Sequence, residues 1–128
     1  MRLRNLTSTT GIPTIDCAIA EPMAAPGVVS AHGGCGTHPD ARIALTRALT
    51  EAAQTRVGFI HGGREDIPDF APARGAPPIE AWNDCGDAIR FDDIPSYQHA
   101  CVNEDVEFII ERMRRSGFDQ AIVVDMTR

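Results

Sequence analysis

Three residues able to bind metal or move protons stand at regular spacing, His32, Cys35 and His38, in the run HGGCGTHPD at 32–40. Imidazole and thiolate are common zinc donors, and H-x2-C-x2-H has the short spacing of half a site. A structural zinc site usually pairs two such clusters, and none of the other candidates, His61, Cys85, His99 and Cys101, falls in a second ligand pair of that spacing. The run is also glycine-rich and leads into a helical pattern, and such a loop can bind an anion through backbone N–H groups at a helix N-terminus. G-G-C-G has neither the dinucleotide-binding nor the P-loop spacing. The plainest reading is a tight strand-to-helix turn with incidental histidine and cysteine, His38 facing solvent or a neighbouring carbonyl.

Further along, Asp40, Arg47, Glu51 and Gln54 fall on one narrow stripe of a helix. A carboxylate there can coordinate Mg2+, and a carboxamide can hydrogen-bond a nucleotide. Arg47 and Glu51, four residues apart, also suit a plain surface ion pair. Ile43 and Val57 flank the stripe on one side and Ala44 and Ala48 on the other, a pattern that predicts a helix buried nearly all round, in which charges are paired or hold a ligand. From the residues alone, the site and the ion pair stand level.

These residues need elements to hold them. The stretch from Pro13 to Ala20 sets Ile15, Cys17 and Ile19 on one face of a strand. A second apolar run, Val28 to Ala31, predicts an antiparallel partner reached through a turn near Glu21 to Pro26. Thr37 with Asp40 spells a capping box, and Pro39 suits a first turn, so a helix is expected from about His38 to Val57. A proline-rich, irregular loop follows at about 67–95. Glu104 to Ser116 predicts an amphipathic helix with Val106, Ile109, Ile110 and Met113 inward and Gly117 as its stop. Gln120 to Met126 reads as a buried strand. The order is β-β-α-loop-α-β, an α+β fold of strands packed on two main helices.

Bulk properties narrow the function. The 128 residues are 43% hydrophobic and 23% charged, enough for one domain with its own core and no obligatory disulfide or metal. Four cysteines without a CxxC pair, and no signal peptide, predict free thiols in the cytoplasm. All twelve basic residues are arginine, which excludes a P-loop lysine or a lysine Schiff base, and the net charge of −6 argues against nucleic-acid binding. No apolar run is long enough to span a membrane.

The run from Gly34 to Arg56, GCGTHPDARIALTRALTEAAQTR, followed by IHGGRED at 60–66, resembles the YcaO family, and more closely the YcaO-like proteins associated with TfuA. LTSTTGIP at 6–13, DDIPS at 92–96 and GFDQAIVVDMTR at 117–128 agree with it, so the resemblance covers nearly the whole chain. It implies ATP-dependent phosphorylation of a peptide amide oxygen, after which a nucleophile attacks the carbon to give an azoline, thioamide or amidine. It implies ATP and Mg2+ as cofactors and a peptide or protein as substrate. By motif, Glu51 is the Mg2+ or phosphate-side carboxylate, Gln54 a nucleotide contact, Arg47 the group orienting Glu51, and Arg64 with Glu65 or Asp66 the arginine–acid pair at phosphate and metal. The family usually shows R-D-D where this chain has R-E-D. The catalytic group itself is not assigned.

The chain lacks the family's upstream S-x-x-x-E-x-x-E-R motif, which supplies metal carboxylates, and the core strand and ATP contacts beyond the equivalent of Asp125. Residues 1–128 are therefore expected to form a single partial YcaO-like domain, inactive alone, that is either a fragment or a piece completed by a TfuA-like protein, a complementary YcaO chain or a second copy. The competing expectation is a non-catalytic degenerate domain that binds a peptide or partner as a homo-oligomer.

Overall fold

The computed structural model describes residues 1–20, 31–61 and 86–126. The expected turn at 21–26, the start of the second strand at 28–30 and most of the proline-rich loop lie outside the described residues. Three strands, β1 (Arg2–Asn5), β2 (Thr14–Ala20) and β3 (Ala31–Thr37), form an antiparallel sheet in the order β1-β2-β3. The α+β class holds. β2 lies as expected, with Ile15 and Cys17 buried toward the helix and Asp16 and Ala18 on the other face. Strand β1 has no clear signal in the sequence, because four residues with two arginines carry no apolar alternation. It is anchored where Arg4 lies opposite Asp16 and donates Nε–H to Oδ2 at 3.0 Å, pairing an otherwise buried carboxylate.

The glycine cluster is not a turn. β3 runs straight through it to Thr37, whose hydroxyl lies 3.0 Å from that of Thr14 on β2. The reason is the helix above. A Cβ on Gly34 would overlap Ala52 N and stand 2.5 Å from Ala48 O, and one on Gly36 would overlap Ala44 O and stand 2.7 Å from Ala48 N. Strand and helix backbones therefore touch, which only glycine on one side and alanine on the other allow.

The helix α1 spans Ala41–His61, three to four residues later than expected at each end. Its cap is Asp40, whose Oδ1 accepts the Arg42 N–H at 2.9 Å and whose carbonyl accepts from Ile43 and Ala44 at 3.1 Å. The Thr37 box does not form, since Thr37 belongs to β3. Only Ala41, Ala44, Ala48 and Ala52 are buried along α1, so it is not enclosed all round; Ile43 and Val57 are 43% and 56% exposed. The core comprises these alanines with Ile15 and Cys17, edged by Ile19, Leu45, Leu49 and Ile94.

After a 3-10 turn at Phe91–Asp93, the chain clamps the start of α1. Ser96 Oγ accepts the Ala41 N–H at 3.0 Å and donates to Asp40 Oδ1 at 3.4 Å, and Tyr97 N–H donates to the Pro39 carbonyl at 3.0 Å. Helix α2 spans Val102–Arg115 and stops as expected at Gly117, whose φ of 90° belongs to the left-handed region. Phe118 N–H reaches back to Met113 O and Gly117 N–H to Arg114 O, both at 3.0 Å, closing a Schellman motif. Ile109, Ile110 and Met113 are half-buried, whereas Val106 is exposed.

The expected strand at 120–126 does not form among the described residues. Ile122 and Val123 are 86% and 90% exposed. A run apolar at both parities is stable as a strand only between two neighbours, and the described sheet offers it none.

Candidate functional site

Glu51 lies on α1 beside the outer edge of β3, brought there by the close contact at Gly34 and Gly36. Strand β3 pairs only with β2 among the described residues, so its outward N–H groups need another acceptor. Glu51 Oε2 accepts the Cys35 N–H at 2.7 Å, a short charge-assisted bond that orients the carboxylate along the strand edge. The second oxygen, Oε1, has no hydrogen bond among the described residues.

Arg47 and Gln54 occupy the same exposed side of α1. Neither makes a side-chain hydrogen bond or ion pair among the described residues, so the plain Arg47–Glu51 surface pair does not form. Glu51 is oriented instead by the Cys35 amide. Arg64, Glu65 and Asp66 lie outside the described residues. The stripe thus presents one half-engaged carboxylate, one guanidinium and one carboxamide to solvent. Asp40, the fourth member, is committed to capping. Its carboxyl is lowered to about 2 by the hydrogen bonds from the Arg42 side chain and backbone, assisted by Ser96.

The histidine–cysteine cluster separates. His32 is buried toward α1, its ring 5.2 Å from that of Phe59. Cys35, an odd number of residues along the strand, points to the opposite face and is exposed. Partial desolvation against the sheet nonetheless pushes its thiol above the usual value, and the charges of Asp16 and Glu51 raise it further. His38 follows the strand, with Nδ1 accepting the Asp40 N–H at 3.0 Å, which leaves the proton of the neutral ring on Nε2. That Nε2 faces the Asp105 carboxylate at 3.7 Å, not solvent or a carbonyl as expected. These three residues cannot share an ion. Among the described residues no three His, Cys, Asp or Glu side chains converge as metal ligands, and Glu51 alone is one carboxylate where Mg2+ takes about six oxygens.

Asp105, unremarked in the sequence, joins His38 to His99, whose Nδ1 is 2.8 Å from Oδ1. Nothing at short spacing announces this trio, because its members come from the α1 entry, the 97–101 segment and α2.

The YcaO cyclodehydratase family model, described as ATP- and Mg2+-binding, matches residues 1–128. The chain belongs to the YcaO family. An uncharacterised protein of Methanothermobacter thermautotrophicus is 33% identical over 98% of this chain, and one from the tfuA 3′ region of Rhizobium leguminosarum bv. trifolii is 35% identical over 72% of it. The chain spans 34% and 23% of their respective lengths. Among solved structures, the heterocyclase TruD matches with a TM-score of 0.64 and 23% identity, covering 90% of this chain and 16% of that one, which is a likeness of fold. No helix among the described residues is long and apolar enough to cross a membrane.

Proposed function

We propose that this YcaO chain is a cytoplasmic, partial domain that supplies one wall of a nucleotide site for ATP-dependent activation of a peptide-backbone amide. The observation that carries this reading is Glu51, held by the Cys35 N–H through one oxygen and open at the other, beside exposed Arg47 and Gln54. A carboxylate oriented by a fixed backbone donor has already lost the freedom that metal binding would otherwise remove. Mg2+ then requires further oxygens, for which the family motif offers Glu65 and Asp66, with Arg64 as its phosphate-side arginine. One carboxylate is too few, so a TfuA-like protein, a complementary YcaO polypeptide or a second copy completes the site, and the chain alone is inactive. The reaction proposed for the completed site is azoline, thioamide or amidine formation on a peptide.

Calorimetric titration with Mg2+ and ATP tests this. Saturable binding that disappears in Glu51→Ala supports the site, whereas no binding at millimolar nucleotide, alone or with the partner, overturns it.

A second reading rests on the exposed apolar run at Ile122 to Met126. On that reading the chain is a degenerate, non-catalytic domain that associates with itself and binds a peptide or partner. It predicts concentration-dependent mass in sedimentation and no nucleotide binding in either state.

A further inference from the structure

Arg112 is not part of the Glu51 stripe and is held by contacts from three segments. A methyl group placed on Gly11 would lie 3.5, 3.6 and 3.7 Å from its Nη1, Cζ and Nη2. Nearly equal distances to three coplanar atoms put Gly11 over the face of the guanidinium, not at its edge. Cζ also lies 5.0 Å from the Tyr97 ring centroid and 5.1 Å from that of Phe108, and Nη2 donates to the Tyr97 hydroxyl. The group is thus held by flat contacts from the Ser8–Gly11 turn, the 97 segment and α2.

What it lacks is a counter-ion. Among the described residues no carboxylate lies within 4 Å of Arg112. Of the acids on α2, Asp105 is engaged with His99 and His38, Glu111 with Arg115 and Glu104 with the Ala100 N–H, and Glu107 makes no ion pair with Arg112. Of the five N–H donors of a guanidinium, one is used by Tyr97, and none of the rest has an acceptor among the described residues. A part-buried guanidinium normally faces a carboxylate or its equivalent, since desolvating it unpaired is costly. Stacking contacts leave its in-plane donors open, which is the geometry of bidentate oxyanion recognition. The turn that carries Gly11 also carries the hydroxyls of Ser8 and Thr10, 3.1 Å apart, one donating to the other and leaving a single O–H as a further donor.

We infer that Arg112, framed by Gly11, Tyr97 and Phe108, is a binding site for an oxyanion, either the carboxylate or the phosphate group of a ligand. It is separate from the nucleotide site proposed on α1 and does not depend on it.

The test is NMR of the full chain, following the Arg112 Nε–H in wild type and the Gly11 and Tyr97 backbone amides in every variant during titration with inorganic phosphate and, separately, with acetate, each against chloride at matched ionic strength. A saturable shift with either anion is expected, with phosphate or acetate the tighter according to the ligand's source. Arg112→Lys, which keeps the cation and loses the fork, is expected to weaken that anion by about tenfold or more. Tyr97→Phe keeps the ring, frees one donor and should retain binding. Shifts that do not saturate with either anion overturn the proposal, as does saturation unchanged in Arg112→Lys. Should the lysine variant not fold, the wild-type titrations still decide.

Discussion

Glu51 accepts the backbone N–H of Cys35 at 2.7 Å, joining the middle of α1 to the outer edge of β3. The bond is local in space and sixteen residues apart in sequence, and it depends on the glycines that let the two backbones touch. Removing the carboxylate leaves an edge amide to solvent, so the stability cost should be modest, about 1 kcal/mol. Glu51→Ala is expected to lower Tm by a few degrees and to speed exchange of the Cys35 amide hydrogen, with Glu51→Gln between it and wild type. Unchanged exchange at Cys35 would show that the bond does not persist in solution.

The same carboxylate acts on the Cys35 thiol. After partial desolvation, the charges of Asp16 and Glu51 hold that thiol above its usual value. Neutralising Glu51 removes one of those charges, lowers the Cys35 pKa and increases the thiolate fraction at any pH below it. Glu51→Gln should therefore be alkylated faster by iodoacetamide at Cys35 at pH 8, as followed by peptide mass mapping. Slower modification would contradict the electrostatic sign.

Contact between α1 and β3 is the least tolerant feature of the fold. A methyl group on Gly36 meets the backbone of Ala44 and Ala48, and backbone atoms cannot step aside as a flexible side chain can. Gly36→Ala and Gly34→Ala are each expected to cost about 3 kcal/mol or more, at or above the usual range for overpacking. Gly58→Ala, with nothing within 4 Å, should stabilise the helix by about 0.5–1 kcal/mol. Chemical denaturation of the three variants separates these outcomes, and a mild Gly36→Ala would mean that the helix stands farther from the sheet.

Asp40 makes the α1 entry acid-sensitive. Its folded pKa, about 2, is below the unfolded value, so its contribution is complete above about pH 4 and is lost as pH falls through about 2. Asp40→Asn keeps an N-cap side chain but removes this titration. Denaturant midpoints between pH 5 and 2 should fall more steeply in wild type than in Asp40→Asn, and parallel curves would refute the assignment. Asp40→Ala is expected to cost about 1 kcal/mol at neutral pH through the lost cap.

These particulars also mark what the sequence made legible. The β2 alternation, the alanine stripe and the Gly117 stop could be read because each is a local pattern with one physical cause. The glycine run at 33–36 was misleading because glycine signals either conformational freedom or close approach, and only the partner at Ala44, Ala48 and Ala52 distinguishes them. A one-element error there moved the helix cap from Asp40 to Thr37. The Glu51 stripe was legible as a face of α1, but its orientation by Cys35 was not, since a backbone donor leaves no trace in residue identity. Asp105 and Arg112 were missed for a related reason: their partners are contributed by three separate segments.

The run at 120–126 offers the sharpest contrast between pattern and environment. Its β-branched composition predicts core, yet Val123 is 90% exposed. At that exposure Val123→Glu removes no packing, and its effect on stability should stay within about 0.5 kcal/mol, as for ordinary surface changes. A buried central strand responds differently: an unpaired carboxylate in its interior would cost several kcal/mol and unfold a marginal domain. Thermal melts of Val123→Glu and of Cys17→Asp, which places a carboxylate at a fully buried position of β2, put both responses on one scale. Near-wild-type melting for the first and collapse for the second is the expected pair, and collapse of both would place residues 120–126 inside a packed sheet.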